Sequence, residues 1–185
     1  MRKEIKRVTV FGGSKPQAGS PAYAQAQKLG ELLALAGCTV LTGGYIGAME
    51  AVSRGAAEAG GHVIGVTCDE IESWRPVRPN RWVHEEMRYP TIRQRLYALV
   101  DNCDAALALP GGIGTLAEIA VTWSQLQIQA LEPRPLIAIG TGWKNTFATF
   151  HTELGDYVAI NDRRWLQFAP DVETAVTQLR KMGDW

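Results

Sequence analysis

Ala105-Ala106-Leu107-Ala108-Leu109-Pro110-Gly111-Gly112-Ile113-Gly114-Thr115-Leu116-Ala117-Glu118 runs from five apolar residues, through three glycines in four positions, to a carboxylate. The apolar run has the length and composition of a buried strand. Beyond the glycines, Leu116, Ile119, Ala120, Trp123, Leu126 and Ala130 recur at helical spacing. The stretch therefore reads as strand, glycine turn, helix. At such a junction the unpaired N–H groups and the positive end of the helix dipole both favour an anion, and glycines let it come close to the backbone. Thr115-x-x-Glu118 also fits a capping box, in which the two side chains satisfy orphan N–H groups at a helix start. Capping alone does not account for three glycines, each of which costs backbone entropy.

Working outward, short apolar runs alternate with longer amphipathic ones. Strands are expected at Val8–Phe11, Thr39–Leu41, His62–Val66, Ala105–Leu109 and Leu136–Ile139, with a sixth at Trp165–Phe168. Helices are expected at about Pro21–Ala36, Ile46–Ala59, Thr91–Asn102, Thr115–Leu131, from near Trp143, and at Val172–Lys181. This alternation predicts an α/β fold: one Rossmann-like, doubly wound, mainly parallel sheet flanked by helices, spanning residues 1–185 as a single domain. Ligands of such sheets sit outside the carboxyl ends of the strands. Three loops there are glycine-rich: Gly12-Gly13-Ser14, Thr42-Gly43-Gly44-Tyr45-Ile46-Gly47 and Gly111-Gly112-Ile113-Gly114-Thr115. The first is not the G-x-G-x-x-G fingerprint, and no acidic residue ends the second strand, which argues against NAD.

Composition narrows the partners. With 185 residues, 46% of them hydrophobic, there is enough apolar material for a substantial core. The formal net charge is zero and no stretch is strongly basic, so a small ligand is favoured over nucleic acid. No segment is long and apolar enough for a membrane span, and the N-terminus lacks a signal-peptide pattern. Cys38, Cys68 and Cys103 are odd in number and widely spaced, which fits a reducing cytoplasm better than a disulfide framework or a zinc site. His62, His84 and His151 have no metal-ligand spacing. The lysines (3, 6, 15, 28, 144 and 181) lie in no motif suited to a Schiff base. No metal and no cofactor are expected.

Asp69–Arg95 reads as the only long irregular connection and carries Arg75, Arg78, Arg81, Arg88, Arg93 and Arg95. A loop of this length is commonly a lid. The alternative is a solvated excursion pinned to the body by Trp74 and Trp82. Arg93 and Arg95 lie on the third helix, and residues two apart on a helix point differently, so at most one of them is expected to enter the site.

These residues resemble the LOG-type phosphoribohydrolases, long misnamed lysine decarboxylases, over about residues 8–140. The signature P-G-G-x-G-T-x-x-E is met at every fixed position by Pro110 to Glu118. A second block, G-G-G-x-x-G-x-M-G, is met by Gly43, Gly44, Gly47 and Met49, while Thr42 and Glu50 replace the outer glycines. Phe11-Gly12-Gly13-Ser14 is similar to the family's first block. Counting fifteen residues back from Pro110, as the family pattern directs, identifies Arg95 as the counterpart of the catalytic arginine; the following residue, usually Lys in members active on cytokinin nucleotides, is Leu96.

The resemblance implies hydrolysis of a nucleoside 5′-monophosphate, AMP or N6-modified AMP, to a free base and ribose 5-phosphate. Cleaving an N-glycosidic bond passes through a ribosyl cation-like state, which needs negative charge near the anomeric carbon and an activated water. Glu118 is the candidate for both. Two anions repel, so the phosphate is assigned to Gly111, Gly112, Ile113, Gly114 and Thr115. Arg95 would orient Glu118 and hold it ionised, or assist departure of the base. Gly13 and Ser14 are candidates for ribose or phosphate contacts, and Gly43, Gly44, Gly47 and Met49 for the wall around the nucleotide. The resemblance also extends to molybdenum-cofactor carrier proteins, so a non-catalytic binding protein on the same fold is the alternative. A homodimer is expected from the family and from the sparsely charged helix Leu116–Leu131.

Overall fold

The short apolar runs become strands of one sheet in the computed structural model, which describes residues 4–182; Lys3 and the outer ends of the 1–185 span lie outside it. The order is β1 (Arg7–Phe11), α1 (Pro21–Leu35), β2 (Thr39–Thr42), α2 (Ala48–Glu58), β3 (Val63–Cys68), α3 (Asp69–Trp74), β4 (Glu85–Tyr89), α4 (Ile92–Asp101), β5 (Ala105–Ala108), α5 (Ile113–Gln127), β6 (Leu136–Ile139), α6 (Thr141–Leu154), β7 (Gln167–Ala169) and α7 (Val172–Met182). The seven strands are arranged β4-β3-β2-β1-β5-β6-β7, and all neighbouring pairs are parallel. The chain builds outward from β1 to β4, returns to the centre, and builds outward again from β5. Strand order therefore reverses between β1 and β5, and the loops that follow these two strands flank the crevice where ligands of such sheets bind.

Side chains alternate across the sheet as a pleat requires. Val8, Val10, Val40, Leu107, Ile137 and Ile139 face one layer, packed by Leu29 and Leu33 of α1, Val52 of α2 and Leu179 of α7. Phe11, Val66, Ala106, Ala108, Leu136 and Ala138 face the other, covered by Leu99 of α4, Ile119 and Leu126 of α5, and Trp143 and Phe147 of α6. The buried Thr9 breaks the apolar pattern of β1 but donates its hydroxyl to Leu99 O at 2.8 Å, so its polarity is compensated.

The expectation for Asp69–Arg95 needs correction. It is not an irregular loop: α3 and β4 lie within it, and only residues 75–84 and 90–91 lack regular structure. Strand β4, Glu85-Glu86-Met87-Arg88-Tyr89, contains no apolar run because it is a sheet edge. It is held by backbone pairing to β3, from Ile64↔Glu85 to Cys68↔Tyr89, while its charged side chains stay in solvent. The last expected strand is shifted: residues 160–165 form a 3₁₀ helix and β7 follows at Gln167–Ala169.

Candidate functional site

Helix α5 begins at Ile113 with Gly112 as its N-cap and no side-chain cap. Its first intrahelical bond is Leu116 N–H to Gly112 O at 3.0 Å, so the N–H groups of residues 113–115 are free of helical partners. Thr115 and Glu118 are thus the third and sixth residues of the helix, not the two ends of a capping box. The glycines of this loop have different roles. A Cβ on Gly111 would overlap the Thr115 side chain, whereas one on Gly112 or Gly114 would meet nothing within 4 Å. Those two glycines face open space, and that space is the crevice. Gly13 N–H donates to Pro110 O at 3.3 Å, which ties the β1 loop to the β5 loop.

Glu118, one turn further along α5, meets Arg95 of α4. Their closest atoms, Oε1 and Nη1, are 3.9 Å apart, an ion pair too long for a hydrogen bond, with both side chains about nine-tenths buried. The rest of the guanidinium is fixed by backbone: Arg95 Nε donates to Val66 O at 2.7 Å and Nη2 to Gly43 O at 3.1 Å. The Tyr45 ring lies 5.7 Å below it. Arg93, two residues earlier, is exposed, so only one of the two arginines enters. Burial pushes the Glu118 carboxyl up to about 7, and the attraction of Arg95 only partly offsets this. Arg95 favours the ionised form, as expected of a neighbouring cation, but loss of water outweighs a single cation at 3.9 Å.

A cavity of about 320 Å³ opens above this pair, lined by Gly12, Gly13, Ser14, Tyr45, Met49, Ile71, Trp74, Arg75, Ile92, Arg95, Gly112, Ile113, Gly114, Thr115 and Glu118. Of the expected wall residues, Met49 lines it and Gly43, Gly44 and Gly47 do not. Gly43 lies behind Arg95, where a Cβ would overlap the guanidinium and the Met49 sulfur. Gly47 adopts φ 75° and packs against Ser14, a conformation and a closeness that exclude other residues. Gly44 is clamped by Asn80, whose side-chain amide donates to Gly44 O at 3.0 Å and Tyr45 O at 2.9 Å. These glycines shape the floor rather than the wall. Ser14 also borders a neighbouring cavity of about 570 Å³ with Lys15, Gly47 and Glu50.

Tyr45, Ile71, Trp74, Arg75 and Ile92 were not singled out from the sequence as cavity residues. Tyr45 stands inside the glycine block, and the other four flank or belong to the arginine-rich segment, so position within those motifs was the available signal. Trp74 does not pin that segment down: it is 78% exposed. Helix α3 is instead anchored by Tyr45, whose hydroxyl accepts from Cys68 N–H at 2.9 Å and lies 3.2 Å from Glu72 Oε1, and by Arg88, which pairs with Asp69 and Glu72. Among the described residues no cluster of three or more His, Cys, Asp or Glu is arranged to hold a metal ion. Nor is any helix among them long and apolar enough to cross a membrane.

Residues 5–159 match the profile of the SLOG cluster4 family. A cytokinin riboside 5′-monophosphate phosphoribohydrolase of Arabidopsis thaliana is 32% identical over 186 residues, covering 97% of the chain and 83% of the relative. A protein of Oryza sativa subsp. japonica named a probable enzyme of the same activity is 38% identical over 127 residues; that match spans 67% of the chain and about half, 51%, of the rice protein. Among solved structures, the molybdenum cofactor binding protein of the phototrophic bacterium Rippkaea orientalis superposes with a TM-score of 0.72 at 24% identity over 98% of each chain, a likeness of fold.

Proposed function

The chain belongs to the SLOG cluster4 family, and from that premise we propose that it hydrolyses the N-glycosidic bond of a nucleoside 5′-monophosphate, AMP or N6-modified AMP. The observation that carries this reading is the Arg95–Glu118 pair at 3.9 Å, beside a helix start whose two open glycines face the cavity. The phosphate lies on the free N–H groups of residues 113–115, with the Thr115 hydroxyl as an added donor. Gly13 and Ser14 approach it, or the ribose, from the β1 side. The sugar then lies over Glu118, and no cofactor is required.

In the reaction a water attacks C1′ and gives up its proton to the Glu118 carboxylate. The C1′–N bond breaks with its electrons passing to the base, which takes up a proton from solvent as it leaves, and Glu118 returns the proton it received to solvent. A carboxyl near pH 7 is matched to that proton transfer, since general bases work best when their pKa lies close to the operating pH. Arg95, fixed by two backbone carbonyls, orients the carboxylate and balances its charge.

Incubation with AMP and with N6-prenylated AMP, followed by chromatography for free base and ribose 5-phosphate, tests the reading. Wild-type turnover is expected. Glu118→Gln should retain nucleotide binding and lose activity on the order of 10²–10⁴-fold. Binding without turnover across a broad nucleotide panel would reject hydrolysis and favour a carrier, the role named for the Rippkaea protein of like fold. The chain is further proposed to act as a cytoplasmic homodimer.

A further inference from the structure

The cavity has two ends of different chemistry. One is the backbone cradle at the start of α5, which follows β5. The other is formed by Ile71, Trp74 and Arg75 at the end of α3 and Ile92 at the start of α4. Helix α3 follows β3, and β3 is separated from β5 by β2 and β1. Three strand spacings make that span about 14 Å. With phosphate on the β5 side and ribose over Glu118, the base of a nucleoside monophosphate extends toward β3.

Two observations mark that end as more than a wall. Trp74 is 78% exposed, the largest side chain with so much open surface on the cavity. The Arg75 guanidinium lies over the indole, 5.6 Å from the ring centroid, and its Nε is buried without a hydrogen-bond partner among the described residues. The cation leaves most of the ring uncovered. An exposed aromatic face with a donor-only side chain beside it suits an aromatic heterocycle rich in acceptor nitrogens.

We propose that Trp74 is the stacking platform for the base and makes the site selective for purine over pyrimidine nucleotides, with Arg75 donating to a ring acceptor. The proposal rests on the phosphoribohydrolase reading. Bicyclic bases cover more of the indole than monocyclic ones, so selectivity follows from contact area. Trp74 is a specificity residue, remote from the bond that breaks.

Calorimetry on the full chain carrying Glu118→Gln, which prevents turnover during titration, tests this with AMP, CMP and ribose 5-phosphate. AMP is expected to bind more tightly than CMP. Adding Trp74→Ala should weaken AMP about ten- to a hundredfold, leave ribose 5-phosphate within about twofold, and erase the preference over CMP; Trp74→Phe should keep most of the affinity. In the enzyme with Glu118 intact, Trp74→Ala should raise KM for AMP far more than it lowers kcat. Unchanged AMP binding in Trp74→Ala, or equal losses for AMP and ribose 5-phosphate, would overturn the platform while leaving the hydrolase reading intact. Failure of the parent to bind either ligand would overturn both.

Discussion

Glu118 shows how two opposing forces on one carboxyl set its use. Burial raises its pKa and Arg95 lowers it; burial wins, and the group is pushed up to about 7, well above the ordinary carboxylate range. In the proposed role of general base it would work in the ionised form, so kcat/KM is expected to rise about tenfold per pH unit below pH 7 and level off above it, in a pH-rate profile. The stability consequence has the opposite sense. Between about pH 4.5 and 7 the folded state keeps a proton that the unfolded state releases, so the group contributes nothing adverse below pH 4.5 and its full destabilisation above pH 7. Relative to Glu118→Gln, the wild-type protein should lose about 2–3 kcal/mol on going from pH 5 to pH 8, measured by denaturant titration. A second residue-scale expectation concerns Gly114, in the first turn of α5 with open space where a Cβ would stand. Gly114→Ala should leave the melting temperature unchanged or slightly raised, by up to about 1 kcal/mol of helix stability, while weakening AMP binding about tenfold.

Elements hold these residues in place, and here the sequence was legible in part. The strand–glycine–helix unit of β5 and α5 was readable because each part carries a strong local signal: an apolar run, turn glycines and a helical stripe. Arg95 and Glu118 were also identified, through their spacing in the family pattern. By contrast α3 and β4 were missed. Both are short and polar, and β4 exists because β3 offers it a row of backbone partners, which no local pattern reports. The anchor of α3 is likewise tertiary. Tyr45 is 1% exposed and links β3 to Glu72 of α3 through its hydroxyl, which burial pushes up to about 12. Tyr45→Phe leaves the buried Cys68 N–H without that acceptor and should cost about 1–3 kcal/mol. Because Ile71 and Trp74 ride on α3, the same variant should raise KM more than it lowers kcat, and hydrogen exchange should accelerate in residues 69–75.

At the scale of the whole molecule, the order β4-β3-β2-β1-β5-β6-β7 brings the β1 and β5 loops side by side at the reversal point. Away from it, Leu116, Ala120, Trp123, Phe147, Phe150 and Tyr157 line an apolar hollow of about 420 Å³ between α5 and α6. Ile128, Tyr157 and Ile160, in the α5–α6 half of the molecule, are 69%, 85% and 80% exposed. This surface supports the proposed homodimer: light scattering should give twice the chain mass of 20.2 kDa, and Tyr157→Asp should shift the protein toward monomer. A monomeric mass for the wild-type protein would reject the proposal.

The sequence by itself determined the parallel α/β architecture and the glycine loop that opens α5, since period and turn chemistry are local properties written along the chain; Arg95 and Glu118 were picked out by the spacing of a family pattern. Tertiary structure alone decided how those residues meet. It set the 3.9 Å between Arg95 and Glu118, and with it the balance between burial and attraction that holds the carboxyl near pH 7. It took Gly43, Gly44 and Gly47 off the cavity wall, setting Gly43 behind Arg95, Gly44 against Gly65 and Gly47 against Ser14. It also carried Trp74 to the far rim, three strands from the glycine loop, because strand order is fixed by packing and pairing between segments that are distant in sequence.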